Sequence, residues 1–364
     1  MARLRPRPGI LEIEPYVGGR SEIDGAARVI KLSANESALG PSPKAIAALQ
    51  AAAAESHRYP DGHAVALRAA IGAHFQLDPA QIVCGAGSDE LIQLLMRGYA
   101  GPGDEVIYSA HGFMIYKLVA LGVGAVPVAA PERELRADVD ALLGCLTSRT
   151  RMLFLANPNN PTGSYLTADE LVRLHQGLPD DVLLVVDAAY AEYARANDYG
   201  TGLELVDRAD NVVMTRTFSK LFGLGALRLG WLYGPPDVVD VLNRLRGPFN
   251  VSTPAQLAGI AALEDRDHQE RSRAHNDRWL PWLAGALREV GLTVHPSIAN
   301  FVLIEFEREG ARSAQAASAW LERDGIIARP MAGYGLPHCL RISVGLDAEN
   351  HAVAESLSAF ARQA

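Results

Sequence analysis

Six short apolar runs, separated by segments with the pattern of amphipathic helices, constrain the fold of this 364-residue chain more than any other feature. The runs are residues 82–84, 105–108, 125–128, 152–155, 182–186 and 212–214. Apolar strands that alternate with helices are typical of a mostly parallel sheet covered by helices on both faces. A capping box, Thr167-Ala168-Asp169-Glu170, begins one of the predicted helices. We therefore predict an α/β fold with a doubly wound sheet.

The sequence predicts that the chain consists of three parts. Residues 1–40 are rich in proline and glycine and lack helical periodicity, which favours an extended N-terminal arm. Residues 41–254 contain the six apolar runs and an alanine-rich helix over 44–55, and they form the predicted large domain. Residues 255–364 predict a smaller α+β domain, with helices over 255–263 and 267–290 and strands over 300–304 and 340–344.

Composition excludes several classes of function. The net charge is −8 and the arginines are scattered, so no concentrated basic surface for nucleic acid is expected. No run of about 18 apolar residues predicts a membrane span, and the N-terminus lacks the apolar core of a signal peptide. The three distant cysteines match neither a disulfide framework nor a zinc site, and the histidines lack metal-ligand spacing. We expect a cytoplasmic protein without a metal.

Lys220, one of only four lysines, follows the last apolar run in the motif Arg216-Thr217-Phe218-Ser219-Lys220. An ammonium at the exit of a buried strand is desolvated, which lowers its pKa and makes the amine a usable nucleophile for a carbonyl. Arg228, eight residues later, suits a phosphate that lies beside this lysine. A lysine with a nearby phosphate anchor indicates pyridoxal phosphate, held as a Schiff base.

Three more motifs follow the predicted strands at their carboxyl ends, where open α/β sheets bind ligands. The motif Gly85-Ala86-Gly87-Ser88-Asp89-Glu90 leads into a predicted helix over 91–97 and suits a phosphate, although Ser88 as an ordinary helix N-cap would also explain it. Residues 157–163 are turn-forming. Asp187 ends an apolar run and needs a partner such as a protonated pyridine nitrogen; a role as helix N-cap is the alternative.

Together, these motifs resemble the fold-type I pyridoxal-phosphate-dependent aminotransferases, and within them the histidinol-phosphate aminotransferase family. The matching segments span nearly the whole chain, namely residues 32–36, 58–62, 157–163, 216–228, 248–252 and 341–345. The resemblance implies transamination from histidinol phosphate to 2-oxoglutarate in histidine biosynthesis. It also implies ping-pong kinetics, small-molecule amino donors and keto-acid acceptors, and a homodimer as the active unit.

The resemblance also implies how the cofactor is bound. Lys220 would form the Schiff base and later act as general base and acid at the substrate Cα. Asp187 would pair with the pyridinium nitrogen, Tyr190 and Asn160 would hydrogen-bond the phenolic oxygen, and Phe113 would stack on the ring. The residues implied to hold the phosphate are Ser88, Asp89, Thr217, Ser219 and Arg228, with Tyr59 reaching it from the partner subunit.

For the substrate, the resemblance implies that Arg341, helped by Arg329, binds the α-carboxylate of glutamate and, in the other half-reaction, the phosphate of histidinol phosphate. Tyr16 matches an arm residue that reaches the substrate pocket of the partner. Ion pairing at the surface or between domains is the alternative explanation for both arginines.

Three departures from the family pattern leave other functions open. Ala188 replaces a common glutamate, His111-Gly112 replaces a common Pro-Thr, and Ser37-Ala38 replaces an Asn-Pro stretch. The last two changes border the predicted substrate pocket, so an aromatic amino acid or prephenate aminotransferase is the first alternative. A cofactor-dependent amino-acid phosphate decarboxylase is the second. A cofactor-binding regulator would need a DNA-binding module, for which the segment before Lys44 is too short.

Overall fold

The computed structural model describes residues 6–7, 9–15, 18–23 and 28–363, and all statements below refer to these residues. Its main feature is a seven-stranded sheet with the order β2-β10-β9-β8-β7-β3-β4. The strands are β2 (Ile82–Gly85), β3 (Glu105–Ser109), β4 (Val126–Ala130), β7 (Thr150–Ala156), β8 (Leu183–Asp187), β9 (Val212–Thr217) and β10 (Gly230–Tyr233). All neighbours are parallel except β10, which runs antiparallel to both β2 and β9.

The six strands predicted from the apolar runs are confirmed, since each run coincides with a strand of this sheet. Strand β8 shows why: all five of its residues are buried, with Leu184 and Val186 in one apolar cluster and Leu183 and Val185 in another. Alternate side chains thus enter the cores on the two faces of the sheet. Burying each such side chain contributes about 1.5–3 kcal/mol. Strand β10 was not predicted.

Helices cover the sheet and form most of the remaining structure. They are α1 (Pro43–Ala52), α2 (Val65–Phe75), α3 (Ser88–Tyr99), α4 (Ile115–Val123), α5 (Val139–Gly144), α6 (Ala168–Gln176), α7 (Leu203–Val206), α8 (Pro236–Leu245), α9 (Thr253–Glu264), α10 (Arg266–Glu289), α11 (Ala314–Arg323) and α12 (Asp347–Gln363). The capping box predicted for α6 is present, with Thr167 and Glu170 exchanging side-chain-to-backbone hydrogen bonds. None of the helices in the described part of the chain is long and apolar enough to cross a membrane.

A second sheet of four antiparallel strands has the order β11-β12-β15-β14. Its strands are β11 (Thr293–Val294), β12 (Phe301–Glu305), β14 (Arg329–Met331) and β15 (Leu336–Ser343). Helices α10, α11 and α12 contribute to the apolar cluster that packs on it. The domain boundary near residue 254 stays a prediction; helix α9 packs against α1 and α2, which favours a boundary after this helix.

Two short strand pairs complete the structure. Strand β1 (Ile30–Lys31) pairs in parallel with β13 (Ile326–Ile327), so this part of the predicted arm is attached to the C-terminal region. Strands β5 (Glu132–Arg133) and β6 (Arg136–Ala137) form an antiparallel hairpin. The hairpin follows β4 and lies next to the end of β3, where Ala110 N donates to Ala130 O at 2.9 Å.

Candidate active site

A cavity of about 230 Å³ lies between the carboxyl ends of the parallel strands and the four-stranded sheet. Twelve of the fourteen site residues predicted from the sequence line it. They are Ser88, Asp89, Phe113, Asn160, Asp187, Tyr190, Thr217, Ser219, Lys220, Arg228, Arg329 and Arg341. The parallel sheet brings them together because its loops all leave at the same edge.

Lys220 lies in the loop that follows β9, with its amine inside the cavity. Its Nζ donates a hydrogen bond to Ala34 O at 3.3 Å and lies 5.4 Å from the centroid of the Tyr190 ring. Burial, together with the positive charge of Arg341, lowers the pKa of Lys220 to about 8. The direction agrees with the sequence-based expectation, and a sizeable fraction of the amine is therefore neutral near neutral pH.

Asp187 is the last residue of β8, and its side chain is buried rather than capping a helix. Its Oδ2 accepts a hydrogen bond from Tyr116 Oη at 2.8 Å, and its Oδ1 accepts one from Thr215 Oγ1 at 3.2 Å. Burial raises the pKa of Asp187 to about 6, although these two hydrogen bonds oppose the shift. Both donors are neutral hydroxyls, so they do not neutralise the carboxylate.

Three neighbours of these groups were not predicted from the sequence. Thr215 lies directly opposite Asp187 in the β8–β9 register, and alternation along β9 places it on the same face as Thr217. Tyr116 follows Phe113 by three residues, and the two rings meet edge to face at 5.8 Å. Asn35 donates through Nδ2 to Tyr190 Oη at 2.9 Å. The alternation of side chains along the strand could have indicated Thr215. The contacts of Tyr116 with Asp187 and of Asn35 with Tyr190 join residues that are distant in the sequence.

The first turn of α3 and Arg228 form an anion-binding corner of the cavity. Gly87, with φ of 82°, is the N-cap and has no side-chain cap hydrogen bond, so Ser88 begins the helix and the alternative explanation of Ser88 as N-cap does not hold. Arg228 donates to Asp89 Oδ2 at 3.0 Å, to Gly225 O at 2.9 Å and to Ser219 Oγ at 3.4 Å. Backbone N–H groups at a helix N-terminus beside a guanidinium suit a phosphate.

The opposite wall is formed by arginines of the four-stranded sheet. Arg329 of β14 and Arg341 of β15 are directly paired in register. Arg341 is buried and donates to Asn160 Oδ1 and, at 2.9 Å, to Ser33 O. Both of these acceptors are neutral groups, and the guanidinium lies at the cavity wall. Asn160, in the loop after β7, thus connects the two sheets.

Two further residues, Tyr59 and Tyr16, were predicted from the sequence, and Tyr59 does not line the cavity of this chain. Tyr59 is 83% exposed and stacks on Phe249, with ring centroids 4.7 Å apart. Tyr16 lies outside the described residues, although Gly19 from the same segment lines the cavity. Within the described ranges, no cluster of three or more metal-ligating side chains is present.

Chemically, the cavity combines a buried amine of lowered pKa, a buried carboxylate, an anion-binding corner and two guanidinium groups. Such a set can bind a phosphorylated carbonyl compound at one end and an anionic substrate at the other. The amine lies between these ends, where it can attack a carbonyl or move a proton.

Comparison with known proteins gives a consistent result. The family model for aminotransferase class I and II matches residues 27–357. Histidinol-phosphate aminotransferases of Paramagnetospirillum magneticum and Rhodospirillum centenum are each 59% identical to the chain, over 98% and 97% of both sequences, respectively. The crystal structure of histidinol-phosphate aminotransferase from Sinorhizobium meliloti in complex with pyridoxal-5'-phosphate superposes with a TM-score of 0.90 at 30% identity, covering 100% of this chain and 99% of the other.

Proposed function

Because the chain belongs to the class I and II aminotransferases, and within them to the histidinol-phosphate aminotransferases, we propose that it transfers the amino group of histidinol phosphate to 2-oxoglutarate. Its cofactor is pyridoxal 5'-phosphate. The resemblance found in the sequence is thereby confirmed at the level of the family. The observation that most supports the reaction is the buried amine of Lys220 in one cavity with Asp187, Arg228 and Arg341.

The residues of the cavity fit this cofactor. Asp187 is a buried carboxylate whose pKa burial raises to about 6, so a protonated ring nitrogen would supply the missing counter-charge. The backbone N–H groups of Ser88 and Asp89, together with the Arg228 guanidinium, suit the cofactor phosphate, with the hydroxyls of Thr217 and Ser219 beside it. Phe113 lines the same cavity and offers a ring face.

Tyr190 and Asn160 would hold the phenolic oxygen of the cofactor. Tyr190 Oη accepts from Asn35, which leaves its own proton to be donated. Asn160 Oδ1 accepts from Arg341, so its Nδ2 group is the one that can donate. Two donors at this oxygen would stabilise its negative charge.

When bound, the cofactor would supply an electron sink for the pair released as the substrate Cα loses a proton. Lys220 supplies the proton transfers, because a lowered pKa keeps part of the amine neutral and ready to take the Cα proton. Asp187 keeps the ring nitrogen protonated. The two substrates use the same site in turn, which gives ping-pong kinetics.

Arg341 and Arg329 would bind the anionic end of each substrate. A guanidinium can bind a carboxylate or a phosphate through two parallel hydrogen bonds. One pair of arginines can therefore serve glutamate in one half-reaction and histidinol phosphate in the other. The hydrogen bond from Arg341 to Asn160 would hold the substrate-binding guanidinium at a fixed position relative to the cofactor.

We also propose that the active unit is a cytoplasmic homodimer. The exposed stack of Tyr59 on Phe249 is an apolar feature that a partner subunit would cover. Tyr59 would then reach the cofactor phosphate of the partner, and Tyr16 the substrate of the partner.

The proposed reaction is tested by turnover of histidinol phosphate with and without 2-oxoglutarate. Catalysis is expected only when the keto acid is present, with one glutamate formed for each histidinol phosphate consumed. Histidinol phosphate has no carboxyl group, so the decarboxylase alternative is tested with an amino-acid phosphate, from which release of carbon dioxide without a keto acid would identify a decarboxylase. Turnover of phenylalanine or prephenate but not of histidinol phosphate would place the enzyme among the aromatic aminotransferases.

A further inference from the structure

The carboxylate of Glu132, in the β5–β6 hairpin, accepts three hydrogen bonds from the segment that precedes Phe113. Its Oε1 accepts from Ser109 Oγ and, at 3.0 Å, from the backbone N–H of His111. Its Oε2 lies 2.8 Å from His111 Nδ1. The side chain of Glu132 is only 3% exposed, and that of His111 is 23% exposed.

These contacts favour an ionised Glu132 and determine which ring nitrogen of His111 faces it with a proton. Burial by itself would raise the pKa of Glu132, but the hydrogen bonds from His111 and Ser109 outweigh it, so the pKa is lowered. Because an ionised carboxylate only accepts hydrogen bonds, His111 Nδ1 must carry a proton. The imidazole ring is thereby held in one orientation.

The segment held in this way leads directly into the cavity wall. Gly112 N donates to Ser109 O at 2.6 Å, and a Cβ at Gly112 would lie 2.9 Å from that oxygen, so the tight turn requires glycine. Phe113 comes next and meets Tyr116, which donates to Asp187. The backbone oxygen of His111 accepts from Asn159 Nδ2 at 3.2 Å, one residue before Asn160.

We propose that Glu132 is a positioning residue, which acts through Ser109 and His111 to hold the ring of Phe113 against the cofactor. The proposal rests on the proposed function, since it requires a flat ring to be bound beside Phe113. It explains why His111-Gly112 can replace the Pro-Thr of relatives: the proline restrains the backbone, whereas here a buried carboxylate does so through hydrogen bonds. Glu132 itself does not line the cavity.

The test is Glu132→Gln, with Glu105→Gln as the matched control. Glu105 lies at the opposite end of β3 from Ser109, its side chain is 6% exposed, and it accepts hydrogen bonds from Thr147 and Arg149. The Kd of pyridoxal phosphate for the apoprotein and the circular dichroism of the cofactor band in the holoenzyme are measured for both variants. We expect Glu132→Gln to weaken cofactor binding about tenfold and to reduce the dichroic band, because a charge-assisted hydrogen bond is lost.

Glu105→Gln should change the Kd by less than about twofold, since it perturbs the same strand far from the cavity. Two variants of His111 provide a further test. His111→Ala should weaken the binding of pyridoxal phosphate as much as Glu132→Gln does. His111→Asn keeps an N–H donor facing Glu132, so it should retain most of the wild-type affinity. These two His111 variants still test the proposal if Glu132→Gln does not fold.

Wild-type binding and dichroism in Glu132→Gln would overturn the proposal, as would equal losses in Glu132→Gln and Glu105→Gln. Either result leaves the proposed function standing, provided that the wild-type protein binds pyridoxal phosphate. If the wild-type protein does not bind it, the proposed function itself fails.

Discussion

Arg341 of β15 donates a hydrogen bond to Asn160 in the loop after β7, although 181 residues separate them in the sequence. This contact joins the four-stranded sheet to the seven-stranded sheet at the centre of the cavity. It places a proposed substrate anchor beside a proposed cofactor ligand. A change at Arg341 should therefore affect both half-reactions.

Arg341→Lys keeps the charge but loses the planar pair of donors, so it should lower kcat/KM for both histidinol phosphate and glutamate by about 10²-fold, or about 2.7 kcal/mol. Steady-state kinetics of the two half-reactions measure this. Arg312→Lys, in the segment before α11, is the control and should leave both values unchanged. A loss confined to one half-reaction would contradict a shared anchor.

Lys220→Ala should lower turnover by at least about 10³-fold, because both the covalent attachment of the cofactor and the proton transfer at Cα are lost. The melting temperature should change by less than about 5 °C, since only one buried amine is removed. Lys117→Ala removes an exposed lysine of α4 and should remain fully active. Activity near the wild-type level in Lys220→Ala would refute the mechanism.

Arg228→Ala should weaken the binding of pyridoxal phosphate by about 10–100-fold, because a guanidinium next to the first turn of α3 is lost. Much of the turnover should return at saturating cofactor. Arg195→Ala is the matched control, since Arg195 is 52% exposed and ion-paired, compared with 49% for Arg228. Dialysis followed by spectroscopic titration measures the affinity of both variants for pyridoxal phosphate. Equal retention of the cofactor by the two variants would argue against a phosphate at this corner.

Asp187→Asn should make the stability of the apoprotein less dependent on pH. In the wild-type protein, burial raises the pKa of Asp187 from 3.8 to about 6, so the folded state binds more protons than the unfolded state between these values. Ionising Asp187 therefore destabilises the fold as the pH rises from about 4 to 6, by roughly 3 kcal/mol.

The measurement for Asp187→Asn is urea unfolding at pH 4 and pH 7. The free energy of unfolding of the variant, relative to the wild type, should increase between these two pH values. A constant difference would show that the pKa of Asp187 is the same in the folded and unfolded states, against the raised pKa.

Mixed dimers test whether Tyr59 acts across the proposed interface. In a dimer of one Lys220→Ala subunit and one Tyr59→Ala subunit, action in trans leaves one site with both defects and the other with neither. At limiting pyridoxal phosphate, mixed dimers should then be more active than either parent. Activity no higher than the average of the parents would mean that Tyr59 does not reach the partner's site.

Local sequence was sufficient where one segment determines its own structure. The run 182–186 predicts β8 because both faces of that strand are buried, and the motif after β9 indicates Lys220 because a strand end desolvates an amine. Strand β10 was missed because it follows β9 without an intervening α-helix and runs antiparallel to its neighbours, so it does not fit the alternation of strands and helices that predicted the others. The alternative explanation of Ser88 as an N-cap does not hold because Gly87, at positive φ, takes the N-cap position.

Contacts between distant segments could not be predicted in the same way. Tyr116 reaches Asp187 from α4, where its ring stacks on Phe154 of β7, and Asn35 reaches Tyr190 because the segment after β1 lines the cavity. Each contact depends on the packing of several elements, which a local sequence pattern does not predict.

The most direct test of the central claim is the absorbance spectrum of the purified protein during the two half-reactions. Histidinol phosphate should convert the visible band of the protein-bound cofactor to the near-ultraviolet band of its amine form, and 2-oxoglutarate should restore the visible band. This result would demonstrate both half-reactions with the proposed substrates. A protein that shows no visible band after incubation with pyridoxal phosphate would contradict the assignment of Lys220, and with it the proposed function.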